Sequence, residues 1–399
     1  MTGCPLDCDD YASFDHHSPH HREGAEERWH RMRELDGLAH SERYGGFFVV
    51  TRHADLRKAA AQHGLFTTSE GAALPNESRS RHIPEEVDPP LQREYRRVLD
   101  PFLTPNAIAA REPEARALAT KLIGALGNER RLDIVPRLTE IFPVHLSLGV
   151  FGFPREDAPR LVDLVNRLIR GRGTEDGRTA GAELVRYLED YIVAKESGAH
   201  GAATDVVTAI ALGRVQGRPL EMEEKISMTR LLLFGGFTTV NLALSYAIYR
   251  IALDPALGDR LHAHPELLPS AAEEFVRLSS PGTYLKRAVT AATELAGVPL
   301  DKGDQLLLCF GAANRDPAVF DRPDAVVPDR NPNPHVGFGF GTHRCMGSSL
   351  AKLEMCVVIG ELLARYARFE LDPERAPEWG AGETQGFTSL PLILHQRNS

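Results

Sequence analysis

The sequence predicts a mainly α protein with small β-sheets, and three observations carry that expectation. From about Glu221 to Asp254 runs a long helical stretch, nearly apolar in its middle: Leu231-Leu232-Leu233-Phe234-Gly235-Gly236-Phe237-Thr238-Thr239-Val240. An apolar helix of that length in a globular protein must be buried. Glu112 to Lys195 is a succession of amphipathic helical patterns, broken near Gly127–Asn128, Gly152–Pro154 and Gly171–Gly173. Ser348 to Tyr366 is unbroken by proline and keeps Leu350, Leu353, Val357 and Ala364 near one stripe. No long linker divides the 399 residues, so one large unit over 26–399 is expected behind a flexible segment over 1–25.

An apolar share of 42% and a charged share of 25% are ordinary for a globular protein. The net charge of −9 argues against a nucleic-acid partner, which needs a clustered basic surface. Five scattered cysteines are too few for a disulfide framework and read as a reducing compartment. The N-terminus is polar and lacks the roughly 18 apolar residues of a membrane anchor, so a soluble, cytoplasmic protein is expected.

Residues 1–25 hold Cys4, Cys8, His16, His17, His20 and His21. Two thiols four apart and two His pairs are zinc-ligand types. Gly3, Pro5 and Pro19 interrupt any regular presentation, however, and a solvated terminus is the expectation. Glu26–Leu35 reads as a helix, Tyr44–Thr51 as the second half of a hairpin, and Ala54–Gln62 as helix again. Gly64–Glu86 is irregular and suits a lid over a site. Asp88 stands ready to cap the next helix, on which Gln92 and Arg96 share a face. Within the long apolar helix, Gly235, Gly236, Thr238 and Thr239 are costly as helix formers. A Thr hydroxyl there can bond back to the carbonyl one turn earlier and open the helix to water. Leu295–Val298 and Gln305–Cys309 read as short strands around Asp301-Lys302-Gly303.

The stretch Phe338-Gly339-Phe340-Gly341-Thr342-His343-Arg344-Cys345-Met346-Gly347 organises the rest. Its glycines let the backbone fold tightly and approach a flat ligand closely. A thiol at the entrance of a helix, among backbone N–H groups, is expected to have a lowered pKa, as a metal-ligating sulfur requires. His343 beside Cys345 could suggest a nucleophile and base, but the sequence places neither an orienting group nor an oxyanion pocket.

The decapeptide resembles the haem-ligand loop of the cytochromes P-450, Phe-Gly-x-Gly-x-His-x-Cys-x-Gly, with every fixed position filled; the resemblance runs from about Trp29 to Leu392. It implies the P-450 fold, a triangular helical prism around a buried haem. It further implies haem b as cofactor, Cys345 as the axial thiolate that favours O–O cleavage, and O2 as co-substrate. Phe338, Gly339 and Gly347 match the cofactor-binding loop, and Arg96, Arg287 and His343 the family's propionate partners. Gln92 would donate a further hydrogen bond, as in the camphor-hydroxylase branch; many relatives carry His there. Gly236 and Thr239 match the oxygen-binding groove, with Gly235 and Gly236 leaving room for the cofactor. Glu274-x-x-Arg277, with Arg330, resembles the family's buried structural ion pair. Thr67, Thr68, Leu74, Phe237, Thr283, Leu285, Phe387 and Thr388 fall in segments that shape the substrate pocket.

The resemblance implies a soluble class I enzyme oxidising a small, mainly apolar molecule. Electrons would come from an iron–sulfur ferredoxin and its NAD(P)H-dependent reductase, with no membrane or nucleic-acid partner. Arg93, Arg97, Arg344 and Lys352 would form a basic patch that steers an acidic ferredoxin. Atypical oxidation (coupling, nitration, desaturation) and a non-catalytic haem sensor are the alternatives. One departure stands out: the family usually has an acid before its threonine, and here that residue is Thr238. A hydroxyl relays a proton but does not supply one near neutral pH.

Overall fold

The computed structural model describes residues 11–18, 20–21, 24–76, 81–171, 173–198 and 205–397. Cys4 and Cys8 lie outside the described residues. At its centre is the helix Met222–Leu253. A capping box starts it: the Glu224 carboxylate accepts the Glu221 N–H at 2.7 Å while the Glu221 side chain accepts the N–H of residue 224. Among the described residues this is the one helix long and apolar enough to cross a membrane. Its apolar residues, Leu233, Leu244 and Ile248 among them, are instead buried in the main core. Each such side chain contributes roughly 1.5–3 kcal/mol by leaving water. That burial compensates for the glycines and threonines in the middle of the helix.

Around it pack Glu112–Ala125, Ile141–Phe151, Ala158–Arg170, Glu175–Glu196, Leu268–Ser279 and Ser348–Arg365, whose apolar faces share the same core. A five-stranded sheet lies to one side, in the order Ala39–Ser41, Phe47–Val50, Gln305–Cys309, Tyr284–Val289, Phe66–Thr67. Gln305–Cys309 pairs parallel with Phe47–Val50 and antiparallel with Tyr284–Val289. Alternation along Tyr284–Val289 puts Leu285 and Arg287 on one face, and that face opens on the central cavity.

Three local expectations change. Residues 11–18 and 20–21, expected to be solvated, pack against the fold: Phe14, His16 and His21 are buried. Phe14 joins Trp29, Phe47, Leu74 and Tyr284 in a separate apolar cluster. Its polar tips are paired, Trp29 Nε1 donating to the Tyr284 hydroxyl at 2.8 Å and that hydroxyl meeting His21 Nε2 at 2.9 Å. The aromatic content of the segment, not its polarity, decides its placement. Leu295–Val298, expected as strand, instead contains the turn of a hairpin between Thr293–Leu295 and Val298–Leu300. Ala296 and Gly297 make that turn in left-handed backbone, at φ 53° and 78°. Asp88 does not cap the helix Leu91–Leu103; its carboxylate is taken by Thr67 and Thr68.

Candidate active site

The central helix, the helix Ser348–Arg365 and the Cys loop enclose a cavity of about 360 Å³. The loop closes on itself, the Cys345 N–H donating to the Phe338 carbonyl at 2.7 Å and the Gly339 N–H to that of Val336 at 2.8 Å. Gly339 and Gly341 sit in left-handed backbone at φ 73° and 72°, and a Cβ on Gly341 would lie 3.0 Å from the Ala60 carbonyl oxygen. The glycines thus let the loop dock on the helix His53–Ala61 and present Cys345 inward. Phe338, Gly339, Cys345 and Gly347 all line the cavity.

The Cys345 thiol is exposed, but to this cavity rather than to the surface, and protein surrounds it at longer range. Burial therefore pushes the thiol up from its ordinary pKa, against the opposing pull of the Gly347 N–H, Arg96 and Arg344. The helix entrance alone does not produce the lowered pKa expected from the sequence. A bound metal ion would supply it, because a coordinating thiol is deprotonated outright.

Arg96, Arg287 and His343 line the cavity from three different segments. Burial lowers the Arg287 guanidinium to about 10, with Glu85 and Asp88 opposing. Burial and then Arg287 bring His343 down to about 4, so its ring is neutral at pH 7. Arg96 is lowered by burial and donates through Nη1 to the Arg344 carbonyl at 3.0 Å. Two guanidiniums turned into a buried space favour an anionic ligand there. Gln92 is not on the cavity wall: its Nε2 donates to the Thr342 carbonyl at 2.8 Å, so it braces the Cys loop from behind.

The oxygen-groove residues separate. Gly235 faces the open cavity, with nothing within 4 Å of where a Cβ would stand. Gly236 lines it too, but a Cβ there would come within 2.6 Å of Ser147 Oγ, so helix packing already requires this glycine. The Thr239 hydroxyl lines the cavity and donates to the Gly235 carbonyl at 2.8 Å. Thr238, one residue back and turned away, lines a second cavity of about 290 Å³.

That second cavity also takes Phe237, Phe387 and Thr388 of the substrate-pocket candidates. Leu285 and Thr68 line the first. Thr384, at the tip of the hairpin Glu378–Gly380/Gly386–Ser389, borders both. Thr67, Leu74 and Thr283 line neither. Thr67 is committed to Asp88, Leu74 to the N-terminal cluster, and the Thr283 hydroxyl to the Ser280 carbonyl at 2.8 Å. In each case a local polar or apolar partner takes the side chain away from the site.

Glu274 and Arg277 are both fully buried. Arg277 Nε and Nη2 donate to the two Glu274 oxygens at 2.8 Å each, and its remaining donors reach the carbonyls of Asn314, Pro323 and Ala325. Arg330 Nε adds two bonds of 3.1 Å and the Val327 N–H one of 3.0 Å. Burial would raise the Glu274 carboxyl, but these donors hold it below its usual range. Of the expected basic patch, Arg93 and Arg344 are exposed, Arg97 pairs with Glu94, and Lys352 pairs with Glu273 at 2.9 Å. Among the cavity residues that the sequence did not single out is Glu354: it is fully buried, neither of its oxygens is hydrogen-bonded, and burial raises its pKa well above normal. Its position on the inward face of the last helix was readable; its lack of a partner was not.

The family model described as Cytochrome P450 matches residues 262–391, which carry both the Glu274–Arg277 pair and the Cys loop. The chain is 29% identical over 366 residues to linalool 8-monooxygenase of Pseudomonas putida, covering 88% of this chain and 90% of that one. Cyclomarin C epoxidase of Salinispora arenicola is 27% identical over 353 residues, 86% of this chain and 89% of its own. A solved mutant of the P450 EryK in complex with erythromycin B superposes with a TM-score of 0.86 at 26% identity, over 96% of this chain and 99% of that one. Fold, cavity and thiol loop together fit a haem-binding oxidoreductase, and over nearly its whole length the chain is similar to bacterial cytochromes P450. It is a P450 monooxygenase, using haem and dioxygen, similar to bacterial members that act on small molecules.

Proposed function

We propose that this chain is a haem b monooxygenase that hydroxylates a small, mainly apolar molecule with electrons from an iron–sulfur ferredoxin. The observation that carries the reading is one cavity lined at once by the Cys345 thiol, two guanidiniums and the bare backbone of Gly235. A flat, dianionic, metal-bearing ligand fits that set. When bound, haem supplies an iron that activates dioxygen for insertion of one oxygen atom into an organic bond. Cys345 would hold the metal, Arg96 and Arg287 would neutralise the two carboxylates, and His343 would add a hydrogen bond. Haem b, held without thioether links, suits a cavity whose wall carries one thiol among the described residues.

Gly235 would let substrate and dioxygen approach the helix backbone, and the Thr239 hydroxyl would pass a proton into the cavity. The apolar wall of Leu231, Leu232, Leu285 and Val240 excludes bulk water and selects an apolar body. Thr238, Asn241 and Thr388 in the second cavity offer hydroxyl and amide contacts to a polar substituent. Atypical oxidation shares every one of these residues and is distinguished by product structure. The unit over 26–399 would act as one domain in the cytoplasm, with ferredoxin docking near Arg93 and Arg344.

The deciding test is Cys345→Ser in haem-loaded protein. The reduced carbon-monoxide band of thiolate-ligated haem is expected to vanish, while Cys309→Ser and Cys356→Ser keep it. Persistence of the band in Cys345→Ser would overturn the assignment.

A further inference from the structure

Away from the haem cavity, His16, His17 and Glu383 bring three ligand atoms within 4.8 Å of one another. We propose that these residues form a divalent-metal site, with Zn²⁺ the favoured cation, that fastens the N-terminal segment to the hairpin tip bordering both cavities. Two imidazoles and a carboxylate are a donor set that zinc takes readily, leaving a fourth position for water.

The independent sign is His16. Its side chain is fully buried, yet neither ring nitrogen makes a hydrogen bond, and the Leu74 carbonyl that bears on the ring is already taken by His17 Nε2 at 2.9 Å. The ring lies against His17, with centroids 4.2 Å apart, and against Tyr284 at 5.1 Å. Packing alone would leave both nitrogens desolvated without compensation, whereas a metal ion uses one of them.

The other two donors are already gathered. His17 Nε2 lies 3.4 Å from Glu383 Oε1 and 2.9 Å from the Leu74 carbonyl. The two segments are joined by backbone as well, the Gly382 N–H donating to the His16 carbonyl at 3.1 Å. Ligands about 2.1 Å from a tetrahedral ion stand about 3.4 Å apart, so side-chain rotation of an ångström or so closes the set. Zinc would then hold His17 in place of its contact with Leu74.

The consequence lies one residue away. The Tyr284 N–H donates to the Glu383 carbonyl at 3.1 Å, Thr384 bridges to Gly282, and both Gly282 and Thr384 line the central cavity. An ion on Glu383 therefore rigidifies part of the cavity wall. This inference stands apart from haem ligation and survives if that reading fails.

The test is calorimetric titration of full-length, chelator-treated, haem-loaded protein with Zn²⁺, together with thermal unfolding. One saturable site is expected, with a midpoint rise of a few degrees, roughly 2–5 °C, at saturating metal. His16→Ala and the near-isosteric Glu383→Gln should each weaken binding by at least about tenfold. Glu383→Gln keeps the test sharp should His16→Ala misfold, since Glu383 is partly exposed. Absence of saturable binding overturns the proposal, as does wild-type affinity in Glu383→Gln and His17→Ala, which would assign the metal to other residues.

Discussion

At the scale of single residues, the hydroxyl of Thr239 and the carboxyl of Glu354 do different work on the same cavity. Thr239 is tied to the Gly235 carbonyl at 2.8 Å and can exchange that bond for water or substrate. Thr239→Ala should lower the fraction of electrons recovered in product by roughly threefold to tenfold and raise peroxide release. That falls short of the ~100-fold that a positioned acid supplies, because Thr239 relays a proton without being its source. Thr238→Ala, facing the second cavity, should change this fraction much less. Glu354 has no partner, so the fold keeps it protonated. The native state then retains a proton that the unfolded chain releases above about pH 4.3. Its contribution to stability is therefore complete below that pH and is lost as pH rises towards the raised folded pKa. Glu354→Gln should gain on the wild type by up to about 1.4 kcal/mol per pH unit between pH 5 and 8, read from denaturant midpoints. A parallel pH dependence in the two proteins would mean that the carboxyl finds a partner in the loaded enzyme.

At the scale of elements, the helix Leu268–Ser279 owes its position to one buried carboxylate that satisfies two arginines and a backbone N–H. The guanidinium of Arg277 stacks over Phe320 at 5.0 Å, so the network joins the helix to the segment that leads into the Cys loop. Glu274→Ala would leave Arg277 buried and uncompensated, at a cost of about 3–5 kcal/mol. The expected result is protein that aggregates or fails to retain haem; soluble, haem-loaded Glu274→Ala with merely slower turnover would assign the residue another role. Much of this element scale was legible in the sequence. Hydrophobic period and length located the central helix and the helix after the Cys loop to within a residue or two. Less legible was which way a side chain turns when two partners compete for it. Gln92 shares a helix with cavity residues and Thr67 precedes one, but they are claimed by the Thr342 carbonyl and Asp88. Gly236 had a packing reason, Ser147, that lies almost ninety positions away in the chain and leaves no local trace.

At the scale of the whole molecule, the net charge of −9 and the proposed docking of an acidic ferredoxin pull in opposite directions. Screening decides between them. At physiological ionic strength the Debye length is about 8 Å, so an approaching partner senses the few charges beneath it more than the total. Of the four cations proposed to meet it, Arg93 and Arg344 are exposed, Arg97 is partly offset by Glu94 and Lys352 is offset by Glu273. The patch is thus smaller than the four cations counted in the sequence, and steering by it should be modest. The rate constant for reduction by ferredoxin is expected to fall about tenfold between low and high salt, at the lower end of electrostatic steering. Arg93→Glu combined with Arg97→Glu should lower the low-salt rate and flatten the salt dependence, while the ferric spectrum and substrate affinity stay as in the wild type. Both arginines are exposed on the helix Leu91–Leu103, and neither lines the cavity. A rate that rises with salt in the wild type would mean that the overall negative charge dominates, and would direct the search to a partner that is not acidic.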